Sequence, residues 1–144
     1  MWWIFALLSA FFAALTAIFA KIGIRDVDSD LATAIRTVII LIIAWGIALY
    51  RGSAENIGGL NKTNWIFLIL SGCATGLSWI FYFKALQIGK VSQVAPVDKL
   101  SVALAIVLSV IFLKEPLTWQ SAIGALLIIG GTIVLILPKQ YFGF

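Results

Sequence analysis

Residues Val91–Leu113 read VSQVAPVDKLSVALAIVLSVIFL, and two opposite charges, Asp98 and Lys99, stand side by side inside this otherwise apolar run. The run is long enough to cross a bilayer, which takes about 20 apolar residues. Charge within a span costs about 2.5 kcal/mol or more per residue, and it survives where it faces a protein interior or a water-filled path. Asp98 and Lys99 are therefore the first place to look for function. The next apolar run, TWQSAIGALLIIGGTIVLIL at Thr118–Leu137, is separated from the first only by Lys114–Leu117 and stops at Pro138. Two spans joined by so short a connection form a hairpin of helices.

Working back towards the N-terminus, the same reading gives three more spans: Trp2–Ile24, Asp30–Tyr50 and Trp65–Leu86. The connections are Arg25–Ser29, Arg51–Asn64 and Gln87–Lys90, and Gly52, Gly58 and Gly59 mark turns in the longest of them. The chain reads as one domain over residues 1–144, an all-α integral membrane protein of five transmembrane helices. Composition agrees: 62% of residues are hydrophobic, 11% are charged, and the mean hydropathy is +1.11. A soluble domain carries about 25% charged residues. A membrane barrel would need many short alternating segments, which are absent. The first span differs from a signal peptide in lacking a basic leading region and in having too long an apolar stretch, so it is retained as a helix.

What the composition lacks excludes several chemistries. With no His and one Cys (Cys73), the chain can form neither an internal disulfide nor a Cys/His metal site. No phosphate-cradling glycine loop and no pair of intramembrane carboxylates is present, so no enzyme is expected and no cofactor is implied. The net charge of +4 has no long Lys/Arg run behind it, and points to lipid headgroups instead of nucleic acid.

Five spans put the termini on opposite sides of the membrane. Trp2, Trp3, Trp45, Trp65 and Trp119 fall on the N-terminal side, here side A, as an interfacial belt, whereas Trp79 lies deep in the third span. Basic residues flank side A at Arg51, Lys62 and Lys114, and side B at Lys21, Arg25, Lys84, Lys90 and Lys139. This bias is weak and leaves insertion in both orientations open.

The embedded charges share one depth. Arg36, Asp98 and Lys99 lie within the spans on their side-B halves, with Lys21 and Lys84 near side-B ends. One reading is a polar vestibule open to side B, in which Asp98 pairs with Arg36, Lys21 or Lys99 and a remaining base attracts an anionic or carboxylate-bearing solute. Trp79, Tyr82 and Ser101 would line the path. The plainer reading has Lys21 and Lys84 snorkelling to headgroups. In it the fourth helix starts at Pro96, which puts Asp98 in a first turn favoured by the helix dipole. If the helix starts near Val91 instead, Pro96 kinks it. Arg36 needs a partner on either reading, because a guanidinium does not deprotonate in proteins. Small-residue stripes (Gly72 and Gly76; Ala105 and Ser109) read as helix packing or dimer contacts, since small residues let helices approach closely in lipid.

Several segments resemble a known family. An aromatic-rich run leads into ALQIGKV at Ala85–Val91, and a proline sits within the fourth span at Pro96. LKEPLT follows at Leu113–Thr118, and then GALLIIGG at Gly124–Gly131. Their order and spacing resemble the EamA-type domain of the drug/metabolite transporter superfamily, and PVDKLS at Pro96–Ser101 resembles its single-domain, five-span bacterial and archaeal branch. The resemblance implies half of a ten-helix inverted-repeat transporter in the cytoplasmic membrane. Such a half carries a small metabolite by alternating access and needs a second copy, as in an antiparallel homodimer. It also makes Asp98 the one candidate for a titrating acid and Glu115 a turn or cap residue. The first span has no acid, unlike the related small multidrug-resistance proteins, which argues against proton-coupled export of cationic drugs. A non-transporting subunit, or a half-transporter with a different partner chain, is the alternative.

Overall fold

The computed structural model describes residues 1–137, so Pro138 and Lys139 lie outside the described residues. The helices are α1 (Trp2–Gly23), α2 (Ser29–Tyr50), α3 (Lys62–Ile88), α4 (Val91–Asp98), α5 (Leu100–Phe112) and α6 (Trp119–Ile136), with a short 3-10 segment at Ser53–Gly59 and no strand among the described residues. Five stretches are long and apolar enough to cross a membrane, α4 and α5 together making the fourth. The chain folds into two compact units, Met1–Ile88 and the segment from Gly89 onward.

In the first unit the ends of the helices are set by local polar groups. Asp28 caps α2, its carboxylate accepting from the backbone N–H of Asp30 (3.0 Å) and Leu31 (3.1 Å). α3 begins at Lys62, earlier than the sequence suggests, because the Asn61 side chain accepts from the Asn64 N–H at 2.8 Å. It also runs on to Ile88, giving about 40 Å of helix at 1.5 Å per residue. Gly52 adopts φ +69 where the chain turns out of α2, a conformation that favours glycine. Thr33, Thr37 and Thr75 each return their hydroxyl to the carbonyl four residues earlier (2.7–2.9 Å), which satisfies a polar group inside an apolar span.

Burial in this unit gathers at one end. Ala17, Ala20 and Ile24 next to α1's C-terminus, Ser29, Ala32 and Thr33 at the start of α2, and Phe83 and Leu86 at the end of α3 are the buried residues. That end is side B. The opposite halves of the three helices expose apolar side chains such as Phe5, Ile42 and Phe67. Helices apolar all round are what a lipid solvent selects, because the backbone is satisfied internally and the side chains meet acyl tails.

In the second unit α6 packs on both α4 and α5, with Ala103 and Thr132 buried. Thr118 caps α6, accepting from the Ser121 N–H at 3.2 Å. The fourth span departs from the sequence reading that starts a helix at Pro96. The helix starts at Val91, and the Lys90 carbonyl accepts from Gln93 (3.0 Å) and Val94 (2.9 Å). Pro96 lies inside α4, and the break falls at Lys99, whose ψ of −8 leaves the helical value of about −42. Pro96 has no N–H to give the Ser92 carbonyl. The chain responds downstream, where the Lys99 N–H is shared between the carbonyls of Ala95 (3.3 Å) and Pro96 (3.1 Å) and the turn tightens. The buried Thr132 hydroxyl stands 3.2 Å from the Pro96 carbonyl and 2.8 Å from that of Ile128, which ties α6 to the break.

Candidate functional site

At the side-B end of the first unit the chain is fastened by two side chains that reach across helices. Lys21, in the last turn of α1, donates from Nζ to the carbonyl of Leu86 at 2.5 Å and approaches that of Gln87 at 3.4 Å. These carbonyls belong to the last turn of α3, where no further helical N–H is available and the helix dipole is negative. A cation is the natural cap there. Gln87 in turn donates from Nε2 to the Val27 carbonyl at 3.0 Å, fixing the α1–α2 connection. The expectation that Lys21 snorkels outward is corrected by this geometry: its ammonium turns inward onto α3. Lys84, one turn before the end of α3, is exposed.

Arg36 lies two turns into α2 and is half-buried. Its guanidinium carbon stands 4.0 Å from the centroid of the Phe83 ring, a cation–π contact. Phe83 is 2% exposed and meets Tyr82 edge-on, with centroids 5.4 Å apart. Within Met1–Ile88 no carboxylate stands at ion-pair distance from Arg36 among the described residues. Arg36 also lines a cavity of about 420 Å³ between α1 and α2, whose other walls are apolar apart from Thr16. Trp79, one turn before Phe83, is half-buried.

Phe83 is the residue that reading the sequence missed. It sits in the same aromatic run, WIFYF, as Trp79 and Tyr82, and is four residues from Trp79 on the same helix face. That i, i+4 relation was the available signal.

The second unit holds the opening pair. Lys99 Nζ lies 3.0 Å from Asp98 Oδ2, with the Lys99 side chain 56% exposed and that of Asp98 30%. Asp98 therefore pairs, within its own unit, with Lys99, one of the three partners proposed for it. It ends α4 instead of opening a helix at Pro96, so the first-turn placement and its dipole benefit do not hold. The pair is neutral as a unit, which lowers the cost of both charges inside an apolar span. Ser101 is exposed on α5. Ser109 is half-buried and donates to the Ile106 carbonyl at 3.0 Å, and Ala105 is exposed. Glu115 lies in the turn after α5, where its N–H donates to the Ser109 carbonyl at 3.3 Å, while the cap of α6 is Thr118.

Among the described residues, a Cβ placed on Gly72 or Gly76 of α3 would meet no atom within 4 Å.

Comparison with known proteins bears on the whole chain. The family model described as the EamA-like transporter family matches residues 1–137. An uncharacterized transporter from Sinorhizobium sp., encoded in the cobO 3′ region, is 45% identical over 134 residues, covering 93% of this chain and 95% of the relative. An uncharacterized protein of Methanocaldococcus jannaschii is 38% identical over 69 residues, 48% of this chain and 50% of the relative. No solved structure matches.

Proposed function

The chain belongs to the EamA-like transporter family, and from that premise we propose that this multi-pass membrane protein carries small metabolites bearing a carboxylate or another anionic group across the cytoplasmic membrane. It does so as a homodimer, by alternating access between two inverted copies. The observation that carries the anionic preference is Arg36: a permanent cation within a span, seated on Phe83, open to a cavity, and without a carboxylate partner in its own unit. A charge of this kind is retained in lipid where it meets a partner or a solute. Five spans make half of an inverted-repeat carrier, and a second copy supplies the other half. Lys21 acts as a positioning residue in this account, because its ammonium already serves the α3 carbonyls. Asp98 and Lys99, at the interruption of the fourth span, form the polar element of the second unit. The role involves no covalent chemistry.

Purified protein in liposomes, preloaded with organic acids, amino acids or amines, tests the reading by counterflow of the labelled solute. Saturable exchange of a carboxylate that is lost in Arg36→Gln supports it. A flux indifferent to both Arg36→Gln and Asp98→Asn refutes the assignment of the site.

A second reading is favoured by the self-satisfied charges: Lys21 is spent on carbonyls and Asp98 on Lys99. In it the chain is a non-transporting subunit, or a half-transporter for a different partner chain, and the charges only fix helix register. Stabilisation of the wild type by a solute counts against the scaffold, since only a ligand of the folded state raises the melting temperature. Reporter fusions at both termini separate the half-transporter, which inserts one way, from the self-pairing protein, which inserts both ways.

A further inference from the structure

The cavity between α1 and α2 lies wholly within Met1–Ile88 and has a definite chemistry. Its volume, about 420 Å³, lies in the range of pockets that hold small organic ligands. It exists because Ala20, Gly23 and Ala32 place little more than backbone where larger side chains would fill the gap between the two helices. Phe19, Ile24 and Ile35 give it apolar walls, and Arg36 is the one charged group among its lining residues.

Arg36 is also held in a way that suits recognition. The guanidinium carbon lies 4.0 Å from the centroid of the Phe83 ring, a cation–π contact that restrains the side chain. A guanidinium carries its N–H donors in a planar fork able to meet a carboxylate through two parallel hydrogen bonds. A single guanidinium suits one carboxylate, and apolar walls around it suit a hydrocarbon body and disfavour a second charge.

We propose that the α1–α2 cavity is a binding site for water-soluble monocarboxylates with an apolar aliphatic or aromatic body, oriented by Arg36 on its Phe83 seat. The proposal rests on the reading of the chain as a carrier of carboxylates and narrows it to one charge, one body type and one place in the fold. It does not require Asp98, which belongs to the other unit.

The experiment is direct binding to the full-length protein in lipid nanodiscs by isothermal titration, independent of transport. The probes are 4-phenylbutyrate, its neutral amide 4-phenylbutyramide, succinate and palmitate. The expected result is binding of 4-phenylbutyrate, with the amide and succinate each at least tenfold weaker. Arg36→Gln should weaken 4-phenylbutyrate at least tenfold and abolish its advantage over the amide. Ala32→Val, which adds two methyl groups to the wall, should weaken binding several-fold, while Lys84→Met, at an exposed position of the same unit outside the cavity, should leave it unchanged. Equal binding of acid and amide, or binding unaffected by Arg36→Gln in a protein that keeps its helical circular dichroism, overturns the site and leaves the carrier reading standing. No binding of 4-phenylbutyrate overturns it as well, and palmitate binding more tightly overturns the assignment to a water-soluble solute. Arg36-dependent binding without counterflow of any solute would support the site while removing the carrier reading.

Discussion

Replacing Lys21 by Met keeps most of the apolar stem and removes only the ammonium. In the structure that ammonium meets the Leu86 carbonyl at 2.5 Å and, at the limit of a hydrogen bond, that of Gln87 at 3.4 Å. Only the first counts in full. A hydrogen bond involving a charged group contributes about 1.5–3 kcal/mol, and a cation at a helix C-terminus contributes about 0.3–2 kcal/mol, part of the same interaction seen as a dipole effect. Because Leu86 is fully buried, its carbonyl has little water to turn to once the ammonium is gone. We therefore expect Lys21→Met to lose about 1.5–3 kcal/mol of stability. Lys84 supplies the control, since it lies near the same membrane face and is exposed. Lys84→Met should cost about 0.5 kcal/mol or less. Both variants are read by reversible unfolding in mixed micelles with increasing SDS, followed by tryptophan fluorescence. Equal, small losses in the two variants would refute the inward cap and restore snorkelling for Lys21.

Other outcomes follow from the same geometry. Thr132→Val keeps the shape of a buried side chain and removes the hydroxyl near the Pro96 carbonyl; it should cost about 1 kcal/mol in the same unfolding assay. Gly72→Leu and Gly76→Leu meet open space among the described residues, so they should not destabilise the monomer while abolishing self-association measured by energy transfer in liposomes. Pro96→Ala restores an N–H to the middle of α4 and should lengthen the protected segment seen by amide hydrogen exchange across Lys99 while slowing counterflow.

The five spans were legible because length and composition alone decide them in a chain this apolar. Their boundaries shifted where a single side chain acts locally, as when Asn61 starts α3 before the apolar run begins. The break in the fourth span was half legible. Pro96 announces a disturbance, but whether it falls at the proline or three residues later depends on how the freed turn repacks against Thr132 of α6, and that contact is not local in sequence. The site was legible as a set of embedded charges and not as a set of partners. Arg36 stood out by its cost in lipid, yet its seat on Phe83 joins different helices. Lys21 was misjudged for the same reason, since its acceptors on α3 are carbonyls, which every residue has and no sequence pattern marks.

Carriage of a carboxylate through the membrane, with Arg36 reading its charge, is the proposal on which the transport expectations depend. Counterflow of labelled carboxylates into liposomes containing the purified wild type, Arg36→Lys and Arg36→Gln tests it most directly. Saturable exchange is expected in the wild type, partial exchange with lysine, which keeps the charge but loses the fork, and none with glutamine. Equal exchange by the wild type and the glutamine variant, or none by the wild type with any solute offered, would contradict that proposal.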